Sequence, residues 1–302
     1  MKKHYIFKLA SLVKSGIIFG NLLPVVAGFF VGLKYFPNNN TPFLFVNTIV
    51  LACVVVAAGC VLNNWFDSDI DQRMERTRNR VLPMREVPPI HALIFGVILC
   101  IVGIFGMTVF VNKLAGGIAL FGIFSYVILY TVFAKRNSIY GVHIGSISGA
   151  IPPVIGYTAI SGVLDANALC LFLIIVFWQM PHSFAIEAFR YIDYKNAEIP
   201  TVPSVKGLKW TKWSMLAYII LFLIVNVYFS FKTGAVHLIA SFVLCGYWAK
   251  IVRKSPKLNS ELKIPTDVEA RWAKKVFFGS IIVMFGICAS IILNCGIFIL
   301  NA

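Results

Sequence analysis

Nine apolar runs, each close to 20 residues and separated by short polar breaks, leave this chain few folds to choose from. They fall at about 14–34, 43–64, 90–111, 114–133, 139–161, 167–189, 212–231, 234–252 and 276–299. A hydrocarbon layer of about 30 Å is crossed by roughly 20 helical residues. Within lipid only helices and closed barrels satisfy their own backbone groups. Soluble domains carry about 45–50% apolar and about 25% charged residues. This chain has 59% and 13%, so the runs are spans rather than core. The expectation is an all-α, polytopic membrane protein forming one membrane-embedded domain over 1–302. The basic start resembles a secretion signal, but Lys8 and Lys14 interrupt its apolar stretch and no small-residue cleavage site follows, so 14–34 is read as the first span.

The net charge of +15 suggests nucleic acid until the charges are placed. With the N-terminus in the cytoplasm, only Lys34, Lys113 and Lys232 of the 27 Lys and Arg fall on the outer side. That bias selects N-in, C-out, and no nucleic-acid partner is expected. Eleven of the twelve acids also lie at the cytoplasmic side, with Asp165 alone outside. The positive-inside rule does not govern acids, so their gathering points to a site. Three long cytoplasmic connections, 65–89, 190–211 and 253–275, would form a polar cap. The seven cysteines all sit in apolar runs without a CxxC pair, which argues against a zinc or disulfide framework.

The most informative stretch is Asn63-Asn64-Trp65-Phe66-Asp67-Ser68-Asp69-Ile70-Asp71. At about 100° per residue, Asn63, Asp67 and Asp71 share one helical stripe, and Asp69 lies on the opposite face. Two stacked carboxylates at a membrane surface repel each other, and a divalent cation relieves that repulsion. Mg2+ suits the arrangement, since it takes one or two carboxylates and completes its shell with water and phosphate oxygens. Arg73, Arg76, Arg78, Arg80 and Arg85 follow at once, and guanidinium groups fit phosphate bidentately. Tyr130, Lys135 and Arg136 after the fourth run, and Asp193, Lys195 and Glu198 after the sixth, face the same side. The bland alternative, a solvated loop of flanking arginines with i,i+4 ion pairs, does not account for the 63/67/71 register.

His143 and His182 are expected at similar cytoplasmic depth, each a substrate-site residue or else a hydrogen-bonded interfacial imidazole. His91 and His237 read as flanking residues. Glu187 and Arg190 are spaced for an i,i+3 pair. Pro152-Pro153 and Pro181 interrupt backbone hydrogen bonding inside their spans, either opening a cavity or forming ordinary kinks.

The aspartate stripe running into Met74-Glu75-Arg76-Thr77-Arg78-Asn79-Arg80 resembles the UbiA-type intramembrane prenyltransferases. Gly149-Ala150-Ile151-Pro152-Pro153, Trp178-Gln179-Met180-Pro181-His182 and Asp193-Tyr194-Lys195-Asn196-Ala197-Glu198-Ile199-Pro200 resemble the heme-farnesylating branch of that superfamily. The likeness implies nine transmembrane helices around a central cavity opening to the cytoplasmic side of a bacterial inner membrane. It implies farnesyl transfer from farnesyl diphosphate to a vinyl group of heme b, with hydration, giving heme O and diphosphate. It further implies that Asn63, Asp67, Asp71 and Asp193 hold Mg2+, and that Arg76, Arg80, Lys135, Arg136, Lys195 and Tyr130 face the diphosphate, and it makes His182 and His143 candidates for heme iron or a propionate. Beyond the substrates and the lipid bilayer, its partners would be a heme A synthase or a terminal heme-copper oxidase. The superfamily's second motif is often DxxxD, whereas here Ala197 stands four residues after Asp193, with Glu198 one step beyond. The competing readings are a prenyltransferase for another aromatic acceptor, a cation-coupled transporter and a b-type cytochrome. Acids crowded on one surface argue against a crossing path for a transported ion.

Overall fold

The computed structural model describes residues 2–38, 40–258 and 264–301, and no strand occurs among them. Of the expected cap segment 253–275, residues 259–263 lie outside the described residues. Among the described residues, eight helices are long and apolar enough to cross a membrane. They are α2 (Ser15–Tyr35), α3 (Thr41–Phe66), α5 with its π-helical end (Pro89–Val111), α6 with its π-helical end (Lys113–Ala134), α9 (Ala166–Phe189), α11 (Val202–Thr233), α12 (Ala235–Arg253) and α13 (Asp267–Leu300). The fifth of the nine expected runs, 139–161, is split into α7 (Gly141–Gly149) and α8 (Ile151–Ser161). Pro152 and Pro153 cause the break: neither can donate to the preceding turn, so they are tolerated only where a new helix starts. Short helices α1 (Lys2–Ala10), α4 (Ser68–Asp71) and α10 (Tyr191–Asn196) lie at the ends of spans.

The helices divide by their surroundings. Over its most apolar stretch α3 is 56% buried but α5 only 22%, so α3 is a central element and α5 shows most of its surface to lipid. Packing is closest between α2 and α8, where glycines replace side chains. A Cβ at Gly28 would lie 1.9 Å from the Pro153 carbonyl oxygen, and one at Gly156 would lie 2.0 Å from that of Val25. Small residues of this kind let backbones approach in lipid, where the hydrophobic effect gives helices no reason to associate. At one end of the bundle Lys34 Nζ and the Tyr35 hydroxyl both donate to the Lys232 carbonyl, at 2.7 Å each, tying α2 to α11. At the other end the acids, Trp210, Trp213 and Lys212 gather. Both tryptophans are exposed, as in an interfacial aromatic belt.

Two histidines depart from expectation or find partners. His237 is fully buried, with Nδ1 2.9 Å from Ser290 Oγ, rather than flanking. His91 Nδ1 meets the Tyr5 hydroxyl at 2.6 Å and so helps hold α1 against the start of α5. The seven cysteines are unpaired.

Candidate active site

The aspartate row crosses a break in the helix: α3 ends at Phe66, α4 starts at Ser68, and Asp67 (φ −87°, ψ 5°) lies between them. Asp67 N still donates to Asn63 O and Asp71 N to Asp67 O, both at 2.9 Å, so the four-residue spacing is kept through the break. Asn63, Asp67 and Asp71 are consequently stacked on one face, and all three are buried. Asp69 is exposed but does not lie on the opposite face as expected: Arg136 Nη2 is 2.8 Å from Asp69 Oδ1 and 3.5 Å from Asp67 Oδ1, so one guanidinium bridges the two carboxylates.

Each buried carboxylate has cationic partners. Asp67 accepts from Asn63 Nδ2 at 2.7 Å, from Lys135 Nζ, and from Arg136 Nη2 at 3.5 Å. Asp71 accepts from Arg80 Nη1 at 2.8 Å, and Arg80 also reaches Asn64 Oδ1 at 3.4 Å. Arg136 forms a two-pronged pair with Asp69 at 2.7 and 2.8 Å and stacks over the Phe66 ring at 4.8 Å. Burial works against the Asp69 charge, but the Arg136 hydrogen bonds hold that carboxyl below the usual range.

A further cation enters from the N-terminal segment. Lys14 Nζ donates to Asn63 Oδ1 at 3.0 Å, and Asn64 Nδ2 donates to the Leu12 carbonyl at 2.9 Å. Lys14 fixes the Asn63 amide: its oxygen faces the ammonium and its nitrogen faces Asp67. Burial, aided by the charge of Arg80, lowers the Lys14 ammonium to about 8. In the sequence Lys14 shows only as an interruption of the apolar start, and nothing in its spacing signals a contact with Asn63.

The fourth span presents its residues through a change of helix type. Ser125–Ala134 is π-helical, with Lys135 N bonded to Tyr130 O at 2.8 Å. Bonds between residues five apart stack Tyr130 with Lys135, and such turns recur at functional sites. Both line a cavity of about 170 Å³ whose floor includes Glu187 and Tyr194. Lys135 thus stands between the aspartate row and this cavity.

The second acidic segment is locked to the first. Asp193 accepts from the Glu75 backbone N–H at 3.1 Å, with Arg190 at 3.9 Å. Ile70 and Met74 pack against Ala197 and Ile199. Arg190 therefore pairs with Asp193 rather than Glu187, whose carboxylate accepts instead from Val202 N at 3.2 Å, where α11 begins. Glu198 is exposed and, among the described residues, pairs only with exposed Arg73, at 3.2 Å. Such pairs contribute about 0–1 kcal/mol. Glu198→Ala is expected to leave product formation within about twofold of wild type in a turnover assay. Arg76 and Lys195 are exposed and join no ion pair among the described residues.

The two candidate histidines do not converge. His143 Nε2 meets the Tyr218 hydroxyl at 3.0 Å and its ring lies near Phe184. His182 faces α13, stacked on Trp178 at 4.5 Å and near Phe277 at 4.9 Å. Phe184 and His182 are two residues apart, hence on nearly opposite faces of α9. Ser280 donates its hydroxyl to Phe277 O at 2.5 Å, so it accepts from His182 Nδ1–H at 2.7 Å, and Nε2 carries the lone pair.

The donor set suits Mg2+ rather than a softer metal. Carboxylate and amide oxygens are the ligands it takes, and no group of three His, Cys, Asp or Glu among the described residues could hold a metal alone. Two buried carboxylates with substrate oxygens would complete such a shell.

Residues 21–273 match the UbiA prenyltransferase family. Protoheme IX farnesyltransferase 1 of Vibrio campbellii is 38% identical over 289 residues, which is 95% of this chain and 95% of that one. Protoheme IX farnesyltransferase of Acinetobacter baylyi is 41% identical over 286 residues, 94% of this chain and 93% of that one. Among solved structures, one of a digeranylgeranylglyceryl phosphate synthase has a TM-score of 0.75 at 18% identity, covering 97% of this chain and 99% of that one. A UbiA homologue from Archaeoglobus fulgidus bound to GPP and Mg2+ has a TM-score of 0.66 at 15% identity, covering 93% and 99%. At those identities the two structures speak for the fold alone.

Proposed function

The chain belongs to the UbiA prenyltransferase family, and from that premise we propose that it transfers a farnesyl group from farnesyl diphosphate to a vinyl group of heme b, adding water to give heme O. The observation that carries this reading is the buried Asp67/Asp71 pair, neutralised by Lys135, Arg136 and Arg80 at the rim of the bundle. Relatives named for farnesyl transfer to protoheme, at 38–41% identity over most of the chain, support the choice of acceptor. The setting is a bacterial inner membrane with the N-terminus and the site on the cytoplasmic side, a placement supported by the lysine and arginine bias.

Asp67 and Asp71, with Asn63, would hold Mg2+, which when bound supplies Lewis-acid stabilisation of the leaving diphosphate. Asp193, held by the Glu75 backbone N–H and Arg190, does not join them in a three-acid cluster among the described residues and would serve from the second acidic segment. Lys135, Arg136 and Arg80, the present counter-ions of the carboxylates, would turn to phosphate oxygens. The cations thus exchange one anionic partner for another and need little reorganisation. Arg76 and Lys195 reach the diphosphate only if their exposed side chains swing inward, whereas Tyr130 already lines the cavity. Its hydroxyl and that of Tyr194 would donate to oxygens there; burial pushes the Tyr194 phenol up, keeping it protonated.

As the C–O bond to diphosphate breaks, the farnesyl carbon forms a C–C bond with the terminal vinyl carbon. Water then adds at the carbon next to the porphyrin, and its proton leaves to diphosphate oxygens or solvent. No protein nucleophile takes part. The bundle's apolar walls withhold water from the allylic cation until that bond forms. The Nε2 lone pair of His182 would face heme iron, while His143 is occupied by Tyr218. His182→Ala is expected to weaken heme b binding about tenfold and shift the Soret band, and His143→Ala to change neither, by absorbance titration.

The deciding assay gives purified protein heme b, farnesyl diphosphate and Mg2+. Mass spectrometry should show heme plus one farnesyl and one water, and chelation of Mg2+ should abolish it. Farnesylation of a phenolic acceptor, with none of heme, would overturn the proposal.

A further inference from the structure

Lys14 is the charged residue at this site to which the proposed reaction assigns nothing. Its backbone lies in the left-handed region, φ 53° and ψ 64°, between a short 3-10 turn (Ser11–Val13) and α2. Glycine occupies that region freely, and a residue with a Cβ does not. A lysine held there is placed for its side chain. The segment that carries it is pinned on several sides. Leu12 is buried among Val61, Leu82 and Val87, its carbonyl accepts from Asn64, and α1 is tied to His91 through Tyr5 and to Glu86 through Lys8. The ammonium is therefore fixed in position rather than swinging at a surface.

That ammonium has three donors and uses one, on the neutral oxygen of Asn63. It joins no carboxylate in an ion pair among the described residues, and both Arg80 and Lys135 repel it while Asp71 attracts it from a distance. A fixed cation with open donors, crowded by like charges, is an arrangement that an incoming anion relieves. Resting on the prenyl transfer proposed above, we infer that Lys14 binds an anionic oxygen of a substrate. The same charge-assisted N–H···O contact serves a diphosphate oxygen or a porphyrin propionate, and the two are separated by measurement.

Full-length protein in detergent would be compared with Lys14→Gly, Lys14→Met and Lys14→Arg. KM would be measured for farnesyl diphosphate and for heme b in turn, with inorganic diphosphate plus Mg2+ and heme b titrated separately for direct binding. Lys14→Gly relieves the backbone and deletes the ammonium, so it is expected to melt no lower than wild type. Glycine and methionine variants are expected to raise KM and weaken direct binding for one substrate by about tenfold or more, the loss of a hydrogen bond to a charged group. The other substrate should stay within about twofold, and arginine should restore most of the loss. A change on the diphosphate arm assigns the contact to diphosphate, and one on the heme arm to a propionate. If both arms stay within twofold, or if only kcat falls, the inference is overturned and Lys14 merely orients Asn63. Wild-type protein that makes no farnesylated heme would instead overturn the proposed function, and the binding titrations would still judge Lys14.

Discussion

Asp67→Ala and Asp71→Ala are each expected to cut formation of farnesylated heme by roughly 10²–10³-fold, the scale of losing one preorganised electrostatic group. Asp67 is 2% exposed and Asp71 5%, and both are held by named donors, so neither can be replaced by a neighbour that shifts slightly. Alanine at 67 also leaves Lys135 and Arg136 facing each other with less counter-charge, which costs stability as well as activity. Asp67→Asn separates the two effects: it keeps the side-chain shape and removes the charge. It should fold with a near-native melting temperature and still lose turnover. Asp69→Ala is the control from the exposed carboxylate beside the row, and should stay within a few-fold of wild type although Arg136 loses its two-pronged partner. Mass spectrometry of the product and thermal unfolding in detergent read both quantities. Normal turnover by the Asp67 or Asp71 variants would remove the basis of the proposed metal site.

Helical periodicity made the arrangement of that row readable from sequence. The spacing of Asn63, Asp67 and Asp71 holds because the backbone bonds of Asp67 and Asp71 bridge the break between α3 and α4. Pro152-Pro153 likewise announced an interruption in the fifth run, and the structure puts it at Ala150, just before them. What periodicity gives is depth and, within one helix, angle. It does not give the angle between helices, which is why His143 and His182 share a depth yet turn to different neighbours. The π-helical end of α6 left no mark in the sequence, because residues 125–134 are mainly β-branched and aromatic side chains typical of an apolar span, and nothing in their pattern distinguishes i→i+5 from i→i+4 bonding. Contacts made across long separations were hidden too. Lys14 reaches Asn63, Asp193 takes a backbone N–H of Glu75, and Glu187 anchors the start of α11. Each depends on how loops return to the bundle, and residue spacing carries no record of that.

Gly28→Ala and Gly156→Ala are expected to be among the most destabilising single-methyl additions available to this chain. Each new Cβ would meet a backbone carbonyl at about half a normal contact distance, and a carbonyl in a paired helix has nowhere to turn. Overpacking of this sort costs typically about 1–3 kcal/mol, and Gly28→Leu should exceed that and prevent α2 from seating on α8. Gly246→Ala in α12 is the matched control: nothing lies within 4 Å of its added Cβ. Alanine is favoured over glycine in a helix by about 1 kcal/mol, so this variant should melt at or above wild type. Unfolding temperatures in one detergent would rank the three. If the Gly28 and Gly246 variants melted together, the close approach of α2 and α8 would be wrong.

The N-terminal clasp also bears on biogenesis. Lys14 leaves the ribosome 49 residues ahead of Asn63, the group it donates to. At about 5–20 residues per second, several seconds of elongation separate the two. Through that interval the first span is inserted with its lysine unmatched, and the glycine face of α2 waits longer still for α8. Nascent chains halted before residue 63 should therefore expose their N-terminal segment to protease, and those released beyond the 81–92 connection should protect it.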